Sequence, residues 1–362
     1  MKLNLQYISI LAILLLLGCE DYYEPDIENI SGALVVEAML TDQKDILTVK
    51  LSRTTSYNEA TYYDGESNAE VFLLSTNGES YTFYQSTTGY YKSEDSITAQ
   101  TGEFYYLHII TEDGDEYMSE VEEMMPPCTI DTIQLTDSTE LDVEYDSWGD
   151  PYTTEIDGIY ISVLPSTPER SDVGFLYQWR SLINYYVYSD SGLVYFDYYC
   201  WLKKSSSTLY VYDYNEEETG YSLILDNLHF LSYDDDLSAL PIDSSRFSGT
   251  IESIYTSSFY YHLKQYTVTE SGAEFWKSVK AQSEASGKLF DPVEEEISTN
   301  IYCTSDTSKS VYGYFNTASY SDKIILVKLS SSNIYSIKTT DDYPVPTKTE
   351  DCLLNELTEF WY

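Results

Sequence analysis

Apolar and polar residues alternate along the chain between residues 30 and 126, with the period of two that is typical of β-strands burying one face. Three segments show the pattern most clearly, and their alternating apolar residues are Leu34, Val36, Ala38 and Leu40, then Leu47, Val49 and Leu51, and then Tyr105, Leu107 and Ile109. The pattern predicts antiparallel strands that share one core.

Turn signals separate these strands. Asn77-Gly78 follows an apolar segment at residues 71–73, and both residues of this pair tolerate positive φ, which a tight hairpin requires. Asp113-Gly114 gives a second such signal. About seven short strands between residues 30 and 126 are typical of an immunoglobulin-like or transthyretin-like β-sandwich. We assign it to residues 30–126, because the prolines that follow cannot continue a central strand.

The apolar segments of residues 128–362 predict a larger, β-rich second domain with longer loops. Residues 156–164 and 175–183 are apolar enough to cross a core, in which Trp179 is the expected anchor. Residues 251–268 and two shorter segments, near 310–315 and 324–329, are further expected strands.

One amphipathic helix is predicted at about residues 272–286. Ser271 and Glu274 have the spacing of a capping box, in which both side chains satisfy backbone N–H groups of the first turn. Apolar residues follow at spacings of three and four, and Gly287 is placed to end the helix. The predicted fold class is therefore mainly β, with one helix packed on the second domain.

The first 18 residues have the features of a secretory signal peptide. Lys2 supplies the positive start, and residues 8–17 form an apolar run that is too short to span a bilayer. Leu16-Leu17-Gly18-Cys19 resembles the bacterial lipobox. We expect residues 1–18 to be removed and Cys19 to carry a lipid, with an ordinary signal peptide and an incidental cysteine as the alternative.

The residues after Cys19 are acidic and predict an extended tether at 19–29. Glu20 and Asp21 open a segment that resembles the signal directing lipoproteins of Bacteroidota to the outer face of the outer membrane. The segment has too little aliphatic content to pack against a core. We therefore expect a lipid-anchored protein of the outer membrane that faces the cell exterior.

The charge of the chain excludes nucleic acid as a partner, and its composition indicates the class of protein. The chain has 61 acidic residues against 19 Lys and Arg, for a formal net charge of −42. Such a surface repels nucleic acid, since binding to phosphates depends on Lys and Arg. The 39 tyrosines favour strands whose side chains are half-hydrated. This is the composition of an extracellular, all-β protein.

The cysteines leave two possibilities open. An exported chain lies in an oxidising compartment, so up to two disulfides could form. The candidates are Cys128, Cys200, Cys303 and Cys352, and their spacing matches no metal-site motif. Buried free thiols are the alternative.

No enzyme motif is present in the sequence, and we expect no catalytic activity. The three histidines, His108, His229 and His262, form no HExxH motif, and there is no GxSxG or phosphate-binding GxxxxGK[ST] segment. A pair of carboxylates on distant strands, as in glycoside hydrolases, stays open because acids are so abundant.

Two ligand hypotheses come from loops and strands. Acidic loops offer oxygen ligands for calcium at Asp113, Asp115, Asp234, Asp235 and Asp236, with plain solvated loops as the alternative. A tyrosine-rich segment could stack on sugar rings or hold a peptide, with ordinary strand faces as the alternative. Its candidate residues are Tyr185, Tyr186, Tyr188, Tyr195, Tyr198 and Tyr199.

Several short motifs, in order, resemble a family of Bacteroidota outer-membrane lipoproteins known as domain of unknown function 4249. They are residues 34–37 with 41–42 and 51–54, the Gly-x-x-Tyr-x-Leu-x-Ile element at 102–109, Met-Pro-Pro at 125–127, Glu-Phe-Trp-Lys at 274–277, Gly-Lys-Leu-Phe-Asp-Pro at 287–292, Asn-Ile at 300–301 and Gly-Tyr-Phe at 313–315. The resemblance implies a surface lipoprotein often found beside TonB-dependent outer-membrane transporters, and it brings no defined site residues.

Two functional hypotheses follow. In the first, the protein is a non-enzymatic, surface-exposed accessory that binds a ligand or a TonB-dependent transporter during nutrient uptake. In the second, it is a structural or assembly component of the outer-membrane surface without a small ligand.

Overall fold

The computed structural model describes residues 32–55, 64–190, 195–206, 209–213, 225–232, 250–284, 297–330 and 333–339. These residues form a mainly β protein with one helix, which confirms the predicted fold class. The immunoglobulin-like or transthyretin-like detail stays a prediction.

The strands fall into an early and a late set along the chain. The early strands are β1 (Leu34–Thr41), β2 (Thr48–Arg53), β3 (Asp64–Gly65), β4 (Glu70–Ser75), β5 (Ser80–Thr87), β6 (Tyr90–Ser93), β7 (Phe104–Ile110), β8 (Glu116–Ser119) and β9 (Glu122–Glu123). The late strands are β10 (Ile130–Tyr145), β11 (Pro151–Pro165), β12 (Val173–Asp190), β13 (Tyr195–Ser205), β14 (Tyr210–Asp213), β15 (Leu225–Ser232), β16 (Thr250–Thr269), β17 (Ile301–Cys303), β18 (Val311–Ser330) and β19 (Asn333–Thr339), and helix α1 (Glu270–Glu284) lies between β16 and β17.

The early strands confirm the alternation and the turns. Leu34 and Val36 of β1 are fully buried, as are Leu107 and Ile109 of β7. The turn glycines Gly78 and Gly114 have φ of 98° and 83°, a region that glycine adopts without steric cost. Buried residues of β1, β2, β4, β6, β7 and β8 form one core cluster, which also includes residues of the late strands β17 and β18. Local sequence therefore placed the early strands, but not the late strands that complete their core.

A second core lies among the late strands. Trp179 of β12 stacks on Tyr261 of β16 with their ring centroids 5.8 Å apart. The same cluster includes Ile159 and Ile161 of β11 and Phe175 of β12, all fully buried. Trp179 anchors this core, as the sequence predicted.

Strand β18 connects the two sets. Its first part runs parallel to β1, from the Leu34–Val311 pair to the Thr41–Ala318 pair. Its second part runs antiparallel to β16, from Thr267–Ser319 to Ser258–Lys328. The expectation of two separate strands near 310–315 and 324–329 is wrong, because the residues between them pair continuously with their neighbours.

The main sheet consequently contains early and late strands. Its order is β13-β12-β16-β18-β1-β2-β6-β5-β4-β7-β8-β17 within the described residues. Strand β17, which is late in sequence, pairs with β8. The division into domains at residues 126–128 stays a prediction, and two strands of the predicted second domain pair with strands of the first.

Helix α1 confirms the predicted helix and corrects its cap. The N–H of Gly272 donates to Thr269 Oγ1 at 3.2 Å, so Thr269, and not Ser271, caps the first turn. The helix begins directly after β16, and the last strand residue therefore supplies the cap. Ala273 packs so closely on Gly174 of β12 that a Cβ on that glycine would lie 2.2 Å from the Cβ of Ala273. The expected stop at Gly287 lies outside the described residues.

Strands β10 and β11 form a long hairpin whose outer half has no third strand among the described residues. The two strands pair from Ile130 to the Tyr145–Pro151 pair. Strand β15 joins β11 only between Gly158 and Val163. We call residues 139–157, which extend beyond β15, the hairpin arm.

Candidate functional site

A group of titratable side chains lies on the face of β12, β16 and β18 that points away from the second core. Along β16, Tyr261 and Leu263 face that core, so His262 and Lys264 lie on the opposite face. The strand register places Arg180 of β12 opposite His262 and Asp322 of β18 opposite Lys264. Together with Tyr320 of β18, they form what we call the polar face cluster (Arg180, His262, Lys264, Tyr320 and Asp322).

A hydrogen-bonded pair lies at the centre of the cluster. His262 Nε2 lies 2.8 Å from Asp322 Oδ2. The side chain of His262 is 4% exposed and that of Asp322 is 41% exposed, so the cluster reaches solvent at its carboxylate. The hydrogen bond from His262 lowers the pKa of Asp322 below its ordinary value, although partial burial opposes this. Asp322 therefore stays ionised well below neutral pH.

Lysine and tyrosine lie on the other side of that carboxylate. Lys264 Nζ lies 5.9 Å from the centroid of the Tyr320 ring, within range of a cation–π contact. Burial lowers the pKa of Lys264, and the nearby Arg180 lowers it further. Burial raises the pKa of Tyr320, and so does the Asp322 carboxylate to which its hydroxyl hydrogen-bonds. The ring of Tyr266 lies 5.5 Å from that of Tyr320 and extends the aromatic surface.

This arrangement is suited to binding a polar ligand. Arg180 and Lys264 offer N–H donors, Asp322 offers an acceptor, and Tyr266 and Tyr320 offer ring surface. The chain has only 19 Lys and Arg beside 61 acids, so two basic side chains and a histidine on one sheet face are a local concentration of donors. Groups with shifted pKa values, gathered where solvent can enter, are typical of binding sites.

The structure brings the predicted tyrosines together on the same strands. Tyr186 of β12 pairs with Tyr199 of β13, and Tyr185 pairs with Cys200. Tyr188, Tyr195 and Tyr198 lie within the same pair of strands. Since β12 also carries Arg180, the tyrosine-rich segment extends the sheet that holds the polar face cluster.

In the acidic loop at residues 113–115, side chains of the protein already contact one of the two predicted calcium-binding carboxylates. Asp115 forms an ion pair with Lys309 and accepts a hydrogen bond from Ser305 at 3.4 Å, while Asp113 is exposed. Asp234, Asp235 and Asp236 lie outside the described residues. Within the part of the chain that the structure describes, no group of three His, Cys, Asp or Glu side chains could hold a metal ion. Calcium binding stays a prediction.

The cysteines are only partly described. Cys128 and Cys303 are buried free thiols, the alternative that the sequence left open for them. Only the backbone of Cys200 is described. Cys352 lies outside the described residues, and so do Cys19, Glu20 and Asp21 of the predicted anchor. Among the described residues, no helix combines the length and the apolar character needed to cross a membrane.

The sequence did not indicate that other polar side chains surround His262. The available signal was the alternation of Tyr260, His262, Lys264 and Tyr266, which places polar groups on one face of a strand. Arg180 and Asp322 lie 82 and 60 residues away from His262 in sequence, and only the register of the sheet brings them to it.

Comparison with known families identifies the chain. The sequence profile described as "Domain of unknown function (DUF4249)" matches residues 20–324. The chain belongs to this family. The family match confirms the resemblance to domain of unknown function 4249, whereas the lipoprotein character and the bacterial group stay predictions. Its range includes the whole polar face cluster of this DUF4249 protein.

Other comparisons add little to the DUF4249 assignment. No protein of curated function matches the chain. Among solved structures, the chain is similar to the crystal structure of a DUF4785 family protein from Legionella pneumophila subsp. pneumophila str. Philadelphia 1, at 11% identity. The alignment covers 65% of this chain and 52% of that one, so the chain spans about half the length of that protein. The TM-score of 0.18 is too low to establish a shared fold.

Proposed function

We propose that this protein is a surface-exposed outer-membrane lipoprotein of Bacteroidota that binds a ligand and acts as a non-enzymatic accessory of a TonB-dependent transporter in nutrient uptake. The observation that carries the proposal is the polar face cluster, a concentration of basic and aromatic side chains on one sheet face of a strongly acidic protein. The proposed anchor is a lipid on Cys19, and Glu20 and Asp21 supply the proposed export signal.

The ligand that fits the cluster carries carboxylate or hydroxyl groups. Lys264 and Arg180 would donate to such groups, and Asp322 would accept from a hydroxyl. The rings of Tyr266 and Tyr320 would stack on an apolar or sugar-ring face of the ligand. Acidic oligosaccharides and peptides with a free carboxylate both meet this description.

Ligand binding is tested with the purified chain. We expect native mass spectrometry against a panel of acidic oligosaccharides and peptides to show a bound species that Lys264→Met weakens at least about tenfold, the loss expected for a desolvated charged contact. Lys92→Met is the matched control, because Lys92 is exposed on the distant strand β6. Equal weakening by both variants, or no bound species, would count against the site.

The transporter relationship is tested in membranes. The tagged, lipidated chain is purified from detergent-solubilised membranes, and the co-purifying proteins are identified. A TonB-dependent barrel in amounts comparable to the bait is the expected result. Recovery of envelope-assembly proteins alone would favour the structural or assembly role instead.

A further inference from the structure

The hairpin arm exposes an unusual amount of apolar surface. Leu141 is 69% exposed, Val143 is 55% exposed and Tyr145 is 69% exposed. Trp148, in the turn at the tip, is 88% exposed. The β15 pairing ends at Gly158 and the last pair of the hairpin includes Pro151, so with a rise of about 3.4 Å per strand residue the turn lies roughly 24 Å beyond that pairing. Large apolar side chains that are exposed together mark interaction surfaces more often than isolated ones do.

The exposed apolar residues share one face of the arm. Leu141, Val143 and Tyr145 alternate along β10, whereas Asp142 and Glu144 lie between them on the other face. On β11, Thr153 and Pro151 lie opposite Val143 and Tyr145, and Glu155 lies opposite Leu141, so one carboxylate borders the apolar residues. At the base of the hairpin, the same face carries Leu135 and Ile133, which pack on the second core, and Asp137 and Thr139 separate them from Leu141. The arm thus extends a core-facing surface into solvent, where no part of the described chain covers it.

Hydrogen bonds order the backbone of the turn that carries Trp148. The carboxylate of Asp146 accepts hydrogen bonds from the N–H groups of Trp148 and Asp150 at 2.8 Å and 2.9 Å. Gly149 has a φ of 85°, and its N–H donates to the Asp146 carbonyl at 3.0 Å. Because the turn backbone is already ordered, binding through Trp148 needs to order only its side chain, which lowers the entropic cost of using it as an interface anchor.

The described part of the fold gives no structural reason for this arrangement. A two-stranded ribbon without a third strand is only marginally stable in water, and the apolar side chains of the arm bury little surface. Tyr152 and Thr154 hydrogen-bond to Glu144 across the strands, on the face opposite to Leu141, Val143 and Tyr145. The apolar face is therefore available to something outside the described chain.

Charge decides between the possible occupants. The arm contains seven acidic residues and no Lys, Arg or His; these acids are Glu140, Asp142, Glu144, Asp146, Asp150, Glu155 and Asp157. A second copy of the chain, with a net charge of −42, would be repelled, and so would an anionic lipid surface. A protein with a basic surface would be attracted.

We propose that the hairpin arm is a docking element, which places its apolar face and Trp148 in an apolar groove of a partner protein whose rim carries lysines and arginines. The inference rests on the proposed function only in that the partner is taken to lie at the cell surface. It adds the part of this chain that makes the contact and the chemistry that the contact requires.

Site-specific photo-cross-linking tests the contact. Benzoylphenylalanine replaces Trp148 in the full lipidated chain, in the cells that naturally make it, and replaces Tyr84 in the control. Tyr84 is 50% exposed on β5, in the early part of the fold. Irradiation should give one discrete adduct from position 148 and none from position 84. The partner peptide identified by mass spectrometry should contain Lys or Arg beside the cross-linked residue.

Each other outcome contradicts the docking proposal. An adduct with a second copy of the chain would show self-association, and an adduct with lipid would show membrane contact. A partner peptide without basic residues would contradict the chemistry of the groove. Equal labelling from positions 148 and 84 would show that the arm makes no specific contact.

A binding experiment separates this inference from the proposed function. With the cross-linked partner purified, Trp148→Ser should weaken binding at least about tenfold, as loss of a tryptophan anchor does, while Tyr84→Ser should not. Added salt should weaken binding by the wild-type chain. If the cross-linked partner binds Trp148→Ser as tightly as the wild-type chain, the docking inference fails, and a barrel that co-purifies with the wild-type chain still supports the transporter role. If the arm cross-links to a basic surface protein and no TonB-dependent barrel co-purifies with the wild-type chain, the docking inference stands and the transporter role fails.

Discussion

The hydroxyl of Tyr314 donates a hydrogen bond to Glu122 Oε1 at 2.9 Å, across 192 residues of sequence. The same carboxylate accepts hydrogen bonds from Asn300 Nδ2 at 3.1 Å and from Thr269 Oγ1 at 2.9 Å. Glu122 is 5% exposed. One buried acid of β9 thus links the end of β16, the segment before β17 and strand β18.

Removing this carboxylate should destabilise the whole fold. Glu122→Ala leaves the donors of Tyr314, Asn300 and Thr269 without that acceptor inside the protein. We expect the free energy of unfolding to fall by about 2–3 kcal/mol in urea titrations. Glu120→Ala is the control, because Glu120 is exposed two residues away, and it should change stability by less than about 0.5 kcal/mol. Equal losses from the two variants would show that the hydrogen bonds to Glu122 contribute little.

Stability should also depend on pH through Glu122. Burial raises its pKa above the ordinary value of 4.5, and the hydrogen bonds from Tyr314, Thr269 and Asn300 only partly oppose this. The folded state therefore holds the proton more tightly than the unfolded state does. This contribution to stability is present below about pH 4.5 and is lost as the pH rises through the raised pKa.

The variant Glu122→Gln isolates that contribution, since it keeps an amide oxygen as acceptor and cannot ionise. We expect its free energy of unfolding to fall less than that of the wild type between pH 4.5 and neutral pH. Urea unfolding at a series of pH values measures the difference, with Glu112→Gln as the control, because Glu112 is exposed and is not among the groups that shift the pKa of Glu122. Parallel profiles for the wild type and Glu122→Gln would contradict the raised pKa.

The pairing of β1 with β18 should tolerate no side chain at Gly313. This residue has a φ of 91°, and a Cβ there would lie 2.0 Å from the carbonyl oxygen of Val36. Gly78 has a similar φ of 98° but open space around it. We expect Gly78→Ala to cost about 1–2 kcal/mol from backbone strain alone, and Gly313→Ala to cost at least about 2 kcal/mol more, because backbone atoms must move. Chemical denaturation of both variants checks this, and similar costs would show that the two strands separate easily.

Lys264 should reduce stability where it is charged. Burial lowers its pKa below 10.5, so the folded state holds the proton less tightly than the unfolded state does. The unfavourable contribution is fully present at neutral pH and disappears as the pH rises through the lowered pKa towards 10.5. Lys264→Met should therefore raise the urea midpoint at pH 7, whereas Lys92→Met should leave it unchanged. A lower midpoint for Lys264→Met would show that its contacts with Asp322 and Tyr320 outweigh the cost of burial.

The cysteines should react only when the protein unfolds. Cys128 and Cys303 are 3% and 2% exposed, and burial raises the pKa of the Cys128 thiol, which further lowers its reactivity. We expect no alkylation of either residue in the native protein, and complete alkylation of both in urea without reductant. Peptide mapping by mass spectrometry distinguishes the two states. A requirement for reductant in urea would show that one of them forms a disulfide with Cys200 or Cys352.

Local patterns explain which parts of the structure could be predicted. The Leu34–Leu40 alternation and the Asn77-Gly78 turn specify their own conformation, because side-chain period and glycine φ act within a few residues. The cap at Thr269 was missed because Ser271 and Glu274 also have the spacing of a capping box. The exact start of the helix depended on where β16 ends.

The sequence by itself determined that the protein is mainly β, where most of its early strands lie, that a helix follows residue 270, and the family to which it belongs. The tertiary structure decided that β18 pairs with both β1 and β16, that Glu122 meets Tyr314, and that Arg180, His262 and Asp322 share a face. It also decided that the apolar side of the β10–β11 hairpin runs past the core into solvent. Alternation shows that a strand has an apolar face, but it does not show what covers that face. Pairing partners and exposure depend on contacts between residues far apart in the chain, which only the complete fold specifies.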